Sequence, residues 1–177
     1  MVILNPGFLV VLVMRVLGPL LIFRWPLLGS VLSEFVFDAL DVVIWDFSGV
    51  LSYINYTLWD KSLDMVQLTI QAIVVWRCWD GRPKGIALSL FGIRLLGFIL
   101  YELTHQRIFF LIFPNLFVLF FITYLICKKI GKESWFDNPR SLVIMFMVLL
   151  FLKMPQELAL HYFEVPPWTI IKNWMKI

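Results

Sequence analysis

The sequence predicts an all-α fold, a polytopic bundle of transmembrane helices, and three observations lead there. Hydrophobic residues make up 61% of the 177-residue chain and charged residues only 15%, against about 45–50% and about 25% in a soluble domain. The mean hydropathy is +0.88. The apolar residues fall into runs that match a hydrocarbon core about 30 Å thick, which needs about 20 helical residues. A globule of this length has too little interior to hide so much Phe, Leu, Ile and Val, so the surplus must face lipid.

Six spans follow in order, at roughly 6–23, 27–45, 62–78, 86–103, 108–127 and 141–160. No Lys or Arg precedes the first apolar run and no small-residue cleavage site follows it, so Phe8–Phe23 reads as a retained span rather than a signal peptide. Arg24-Trp25-Pro26 ends the first span and starts the second. The second also reads as an amphipathic helix lying in the interface, which would leave five spans. Asp80-Gly81-Arg82-Pro83-Lys84-Gly85 is a turn between the third and fourth, and Thr104-His105-Gln106-Arg107 is a polar corner before the fifth. The fifth is the clearest, I-F-F-L-I-F-P-N-L-F-V-L-F-F-I-T-Y-L-I-C. Asn138-Pro139 closes a basic loop, with Ser141 as the expected N-cap of the sixth. Residues 1–160 thus form a single transmembrane domain. Residues 161–177, after Pro166-Pro167, mix apolar and basic side chains and form an amphipathic interfacial tail.

Orientation follows from Lys and Arg, which gather on the cytoplasmic side. Arg24, Arg77, Arg82, Lys84, Lys128, Lys129, Lys132 and Arg140 lie on one side, and Lys61, Arg107, Lys172 and Lys176 on the other. Loops 79–85 and 128–140 are therefore expected in the cytoplasm, with loop 46–61 and the C-terminus opposite. The basic K-K-I-G-K stretch either records this topology or docks anionic headgroups. Cys78 and Cys127 end two apolar runs beside basic residues, on the reducing side, and read as buried small hydrophobes rather than a disulfide. All eight Trp fall near span ends, as an interfacial aromatic belt.

The polar residues inside the spans carry the functional reading. Glu34, Asp38 and Asp41 follow Ser30 at helical spacing on one face, and Asp60, Asp64, Gln67 and Gln71 share a face of the third span. Arg94 and Glu102 lie in the fourth span, Asn115 in the fifth, and Lys153, Gln156 and Glu157 in the sixth. Gly85, Ser89 and Gly92 make a small-residue seam suited to close helix packing. A charge at the bilayer centre costs about 2.5–3.5 kcal/mol on insertion scales, so these groups must face one another or a hydrated vestibule. The candidate ligand- or ion-binding set is Glu34, Asp38, Asp41, Asp64, Gln67, Arg94, Glu102, Asn115 and Lys153, with Arg15 as a further balancing cation. Carboxylates outnumber bases in this set, which favours bound protons or a cation.

The function read from the sequence is a small integral membrane protein that binds or moves a cation, a proton or a small polar solute. One alternative is a non-catalytic accessory or assembly subunit, partnered by other membrane subunits or by itself within the bilayer. Another is a Mg²⁺-dependent lipid-modifying enzyme that uses D-A-L-D at 38–41 and D-K-S-L-D at 60–64 against a diphosphate. Cys and His fall on opposite sides of the predicted membrane, so no shared metal site is expected from them, and no cofactor is expected. Nothing matches a P-loop, a dinucleotide fingerprint, G-x-S-x-G or H-E-x-x-H. The net charge of +3 is accounted for by topology, so no nucleic-acid partner is expected.

Overall fold

In a computed structural model of the chain, which describes residues 5–162 and 167–175, every regular element among the described residues is helical. The chain forms two compact units, 1–78 and 79–177.

In the first unit, α1 (Pro6–Leu17) starts at Asn5, whose side chain accepts from the Gly7 amide at 2.8 Å, with Pro6 in the first turn. A 3₁₀ turn at Gly18–Leu20 leads into α2 (Leu21–Arg24). Trp25 leaves helical geometry and Pro26 starts α3 (Pro26–Val31). The reversal is tight at Gly29, where a Cβ atom would sit 2.6 Å from the Ile22 amide nitrogen, so α2 and α3 meet backbone to backbone. A π-helical stretch, Leu32–Phe37, joins α3 to α4 (Asp38–Phe47). Gly49, at φ 73°, turns the chain toward α5 (Tyr56–Cys78). Phe8, Val11, Trp45, Val50 and Leu63 form the core at this end. Phe8 stacks on Trp45 and meets Trp59 edge-on.

In the second unit, α6 (Gly81–Thr104) ends at His105, in the left-handed region at φ 56°. The fifth predicted span is divided. α7 (Ile108–Ile112) and α8 (Leu116–Lys129) are separated at Phe113-Pro114-Asn115, because Pro114 has no amide hydrogen to continue the ladder. α8 buries Phe117, Phe120 and Phe121. It ends in a Schellman-type turn, with Gly131 at φ 71°, the Lys132 amide donating to the Cys127 carbonyl and the Gly131 amide to that of Lys128. α9 (Pro139–Glu157) is capped by Asn138 rather than Ser141. The Asn138 side chain accepts from the Arg140 amide, and Pro139 takes the first helical position. Pro155 interrupts the ladder near the end of α9, and a π-helical stretch, Leu158–Tyr162, follows. Of the predicted tail, residues 163–166 and 176–177 lie outside the described residues, as does the side chain of His161, while Pro167–Met175 forms α10.

Among the described residues, four helical segments are long and apolar enough to cross a membrane: Pro6–Arg24, Gly81–Thr104, Ile108–Lys129 and Pro139–Leu160. Along α9, Val143, Ile144, Met147, Val148, Phe151 and Leu152 are all exposed, which suits contact with lipid tails and not with water. This is a membrane-embedded all-α protein. The stretch from α3 to α4 and helix α5 are also long, but each carries four charged residues: Glu34, Asp38, Asp41 and Asp46 in one, Asp60, Lys61, Asp64 and Arg77 in the other.

Further sequence expectations are corrected. Of the two cysteines read as buried small hydrophobes, Cys127 is buried but Cys78 is exposed. Trp45 and Trp79 do not belong to an exposed belt. Both are buried, Trp45 under Phe8 and Tyr56, and Trp79 against Phe121 and Tyr124. Gly85 and Gly92 make no close packing seam among the described residues, since a Cβ at either would meet nothing within 4 Å. The close approach is at Gly97, where a Cβ would lie 2.7 Å from that of Phe113.

Candidate functional site

The first unit gathers its charges around Arg15. This side chain is only 2% exposed, although it belongs to a segment apolar enough to cross a membrane. Its guanidinium reaches Asp38 and Asp64 at 2.6 Å each, and Asp41 and Asp60 at 3.5 Å each. Two of these carboxylates come from α4 and two from α5. Lys61 closes the α5 side, 2.6 Å from Asp60 and 2.9 Å from Asp64. Tyr56 donates to Asp41 at 3.3 Å. Asp41 is fully buried, whereas the Asp38 side chain is 37% exposed and marks the open edge of the cluster.

Below the acids α5 continues to pair, now with the π-helical stretch and α3. Gln67 donates to Glu34 at 3.1 Å, and Gln71 donates to Ser30 at 3.0 Å. The result is an antiparallel polar ladder. As α5 runs forward from Asp60 through Asp64 and Gln67 to Gln71, its partners run back along the sequence from Asp41 through Asp38 and Glu34 to Ser30. The partner face, Ser30 to Asp41, covers about 17 Å at 1.5 Å per residue. On an ideal α-helix a step of four overshoots one turn by about 40°, so Ser30, Glu34 and Asp38 would drift off a common face. The π-helical stretch at Leu32–Phe37 puts more residues into the turn and absorbs that drift.

The ladder is under-satisfied. Arg15 Nε, Asp41 Oδ2, Ser33 Oγ and Gln71 Oε1 are buried without a hydrogen-bond partner among the described residues. Arg15 Nε and Asp41 Oδ2 nonetheless face each other as an ion pair at 3.5 Å. Oxygens of Asp38, Asp60 and Asp64 lie within 4.8 Å of one another, a spread suited to a hard cation.

The second unit holds the remaining predicted residues at its helix break. Arg94 is 3% exposed, donates to the Phe113 carbonyl at 3.2 Å and lies 4.7 Å over the Phe110 ring. The Asn115 amide donates to Glu157 at 3.3 Å, and Lys153 lies 3.8 Å from Glu157 and 3.0 Å from Gln156. These groups serve the ends of α7 and α8 left open by Pro114. Glu102, also on α6, has a buried Oε1 with no hydrogen-bond partner among the described residues.

Within the first unit, Asp38, Asp41 and Asp64 meet, and Glu34 pairs with Gln67. Within the second, Asn115 and Lys153 meet through Glu157. Asp60, Lys61, Tyr56 and Glu157 were missing from the candidate set. Asp60 had a signal, the D-K-S-L-D spacing, and Glu157 followed Lys153 by one helical turn. Tyr56 had none, because it fell in the predicted loop 46–61, away from the spans. Set against models of known families, curated proteins and solved structures, the chain has no match.

Proposed function

We propose that this is a small integral membrane protein whose Arg15 cluster binds a cation or exchanges protons. The supporting observation is charge imbalance in a site withdrawn from water. Four carboxylates, Asp38, Asp41, Asp60 and Asp64, share two cations, Arg15 and Lys61, which leaves a formal charge of −2. Such a surplus is relieved by protons or by a bound cation. A hard divalent ion bonds oxygen at about 2.0–2.6 Å, so carboxylate oxygens up to 4.8 Å apart can flank one. Asp38 is the point of entry, since it alone in the cluster is substantially exposed. Arg15 competes with the ion for the same oxygens, which gives a route for release: the guanidinium takes back Asp38 and Asp64 as the ion leaves.

The test is thermal unfolding of the purified full-length protein in detergent, with Ca²⁺, Mg²⁺ or Na⁺ added and with pH varied. The expected result is an ion- or pH-dependent rise in Tm that the D38N/D60N variant loses. An unchanged melting temperature across ions and pH overturns the reading.

A second reading has an observation of its own. D-A-L-D and D-K-S-L-D face each other across Arg15, the kind of arrangement through which Mg²⁺ holds a diphosphate. It requires Mg²⁺-dependent turnover of a lipid diphosphate, lost in D41N and D64N.

A further inference from the structure

The second unit carries its own charged surface, far in chemistry from the acidic cluster. At one end of it α6 begins, α8 stops and α9 begins. The Arg82 guanidinium donates to the Asp137 carbonyl at 2.5 Å, and Phe136 packs on Phe120 and Tyr124, which ties the three helix ends together. Three candidate membrane segments, Gly81–Thr104, Ile108–Lys129 and Pro139–Leu160, start or stop here, so this end lies at a membrane border.

Arg82, Lys128, Lys129, Lys132 and Arg140 are all exposed at this end, and Lys84 is half-buried beside them. Lys128 has Glu133 at 3.9 Å, and Arg82 is engaged by the Asp137 carbonyl. Lys129, Lys132 and Arg140 have no carboxylate within ion-pair distance among the described residues. Lys132 instead lies 4.7 Å over the ring of Trp135, which is 52% exposed, next to a turn that exposes Ile130. Solvated cations, a half-exposed indole and an apolar side chain at one level form the pattern that meets phospholipid headgroups. The Schellman-type turn after α8 and the Asn138 cap of α9 hold the carriers in place.

We infer that this basic collar binds the anionic headgroup of a bilayer phospholipid, with Lys129, Lys132 and Arg140 neutralising its phosphodiester and Trp135 lying at the glycerol level. A lipid is favoured over a soluble anion because the patch is open, lies at the edge of three apolar helices and offers an indole that a free phosphate could not use. Each basic residue near an anionic surface is worth about fivefold in partitioning, so removing three should weaken lipid binding on the order of a hundredfold.

The test compares the full-length protein in nanodiscs of phosphatidylcholine alone with nanodiscs containing phosphatidylglycerol. The expected result is a higher Tm and retained phosphatidylglycerol adducts in native mass spectrometry. Both are lost in K129Q/K132Q/R140Q and kept in K129R/K132R. High salt should remove the Tm difference in the wild type, since the Debye length falls to about 3 Å at 1 M. Equal stability in both lipids overturns the inference. So does a full response in the triple Gln variant, or the same rise produced by inorganic phosphate in detergent. A triple variant that inserts in the opposite orientation yet responds normally to phosphatidylglycerol would show that the charges set topology only, and the collar would then not be a lipid site.

Discussion

Gln71 on α5 donates to Ser30 on α3 at 3.0 Å, and both side chains are fully buried. Neither residue would be chosen to fill an apolar core. Their pairing shows that the polar interface of the first unit runs on past the last carboxylate. A double-mutant cycle with Ser30→Ala and Gln71→Leu should give a coupling of about 0.6 kcal/mol, and no more than about 1.7 kcal/mol, the range for buried polar pairs between membrane helices. Unfolding in mixed micelles measures it. A coupling of zero would separate the two residues.

Arg15 should be the most sensitive position in the first unit. Arg15→Met leaves four carboxylates against Lys61 alone and should cost about 3–5 kcal/mol, as expected when one partner of a buried charge set is removed. Adding Asp38→Asn and Asp64→Asn removes much of the excess negative charge and should restore most of the loss. The comparison is read as three unfolding midpoints in one detergent. A single variant as stable as the wild type would mean that Arg15 does not hold the acids together.

The glycines divide into two classes that a melting experiment can separate. Gly29→Ala places a Cβ against the Ile22 and Leu21 backbone, which cannot move aside as a side chain can, and should cost about 1–3 kcal/mol. Gly97→Ala meets the Phe113 side chain and should be destabilising by less, provided that Phe113 can shift. Gly92→Ala, in mid-helix with open space around it, should be neutral or stabilising by up to about 1 kcal/mol.

The two thiols should react in a fixed order. Cys78 is exposed and Cys127 is buried beneath the end of α8. A maleimide applied to the folded protein should modify Cys78 first and Cys127 only on denaturation, as read by intact-mass shifts in C78S and C127S. Equal rates would place Cys127 at the surface.

The pairing within each helix face was legible before any coordinates. Glu34, Asp38 and Asp41 on one segment, and Asp60, Asp64, Gln67 and Gln71 on another, stood out because like spacing on a helix is a local matter. The partner of those faces was not legible. Arg15 was one balancing base among three, along with Arg94 and Lys153, and nothing near it in the chain distinguishes it. Trp45 was misplaced for a similar reason. A tryptophan at a span end is usually interfacial, and the packing of Phe8 and Tyr56 from other helices makes this one core.

What the sequence alone determined is the solvent and the fold class: an excess of apolar side chains cannot be buried in so small a chain, so helices must face lipid, and hydrophobic run length is a property of neighbours in sequence. Tertiary structure alone decided which polar faces meet. The rungs from Ser30–Gln71 to the Arg15 cluster depend on the Trp25-Pro26 reversal, the π-helical stretch at Leu32–Phe37 and the turn at Gly49, which together set the register of α4 against α5. Register is the sum of such small rotations along the chain, and a carboxylate gains its counter-ion only when that sum comes out right.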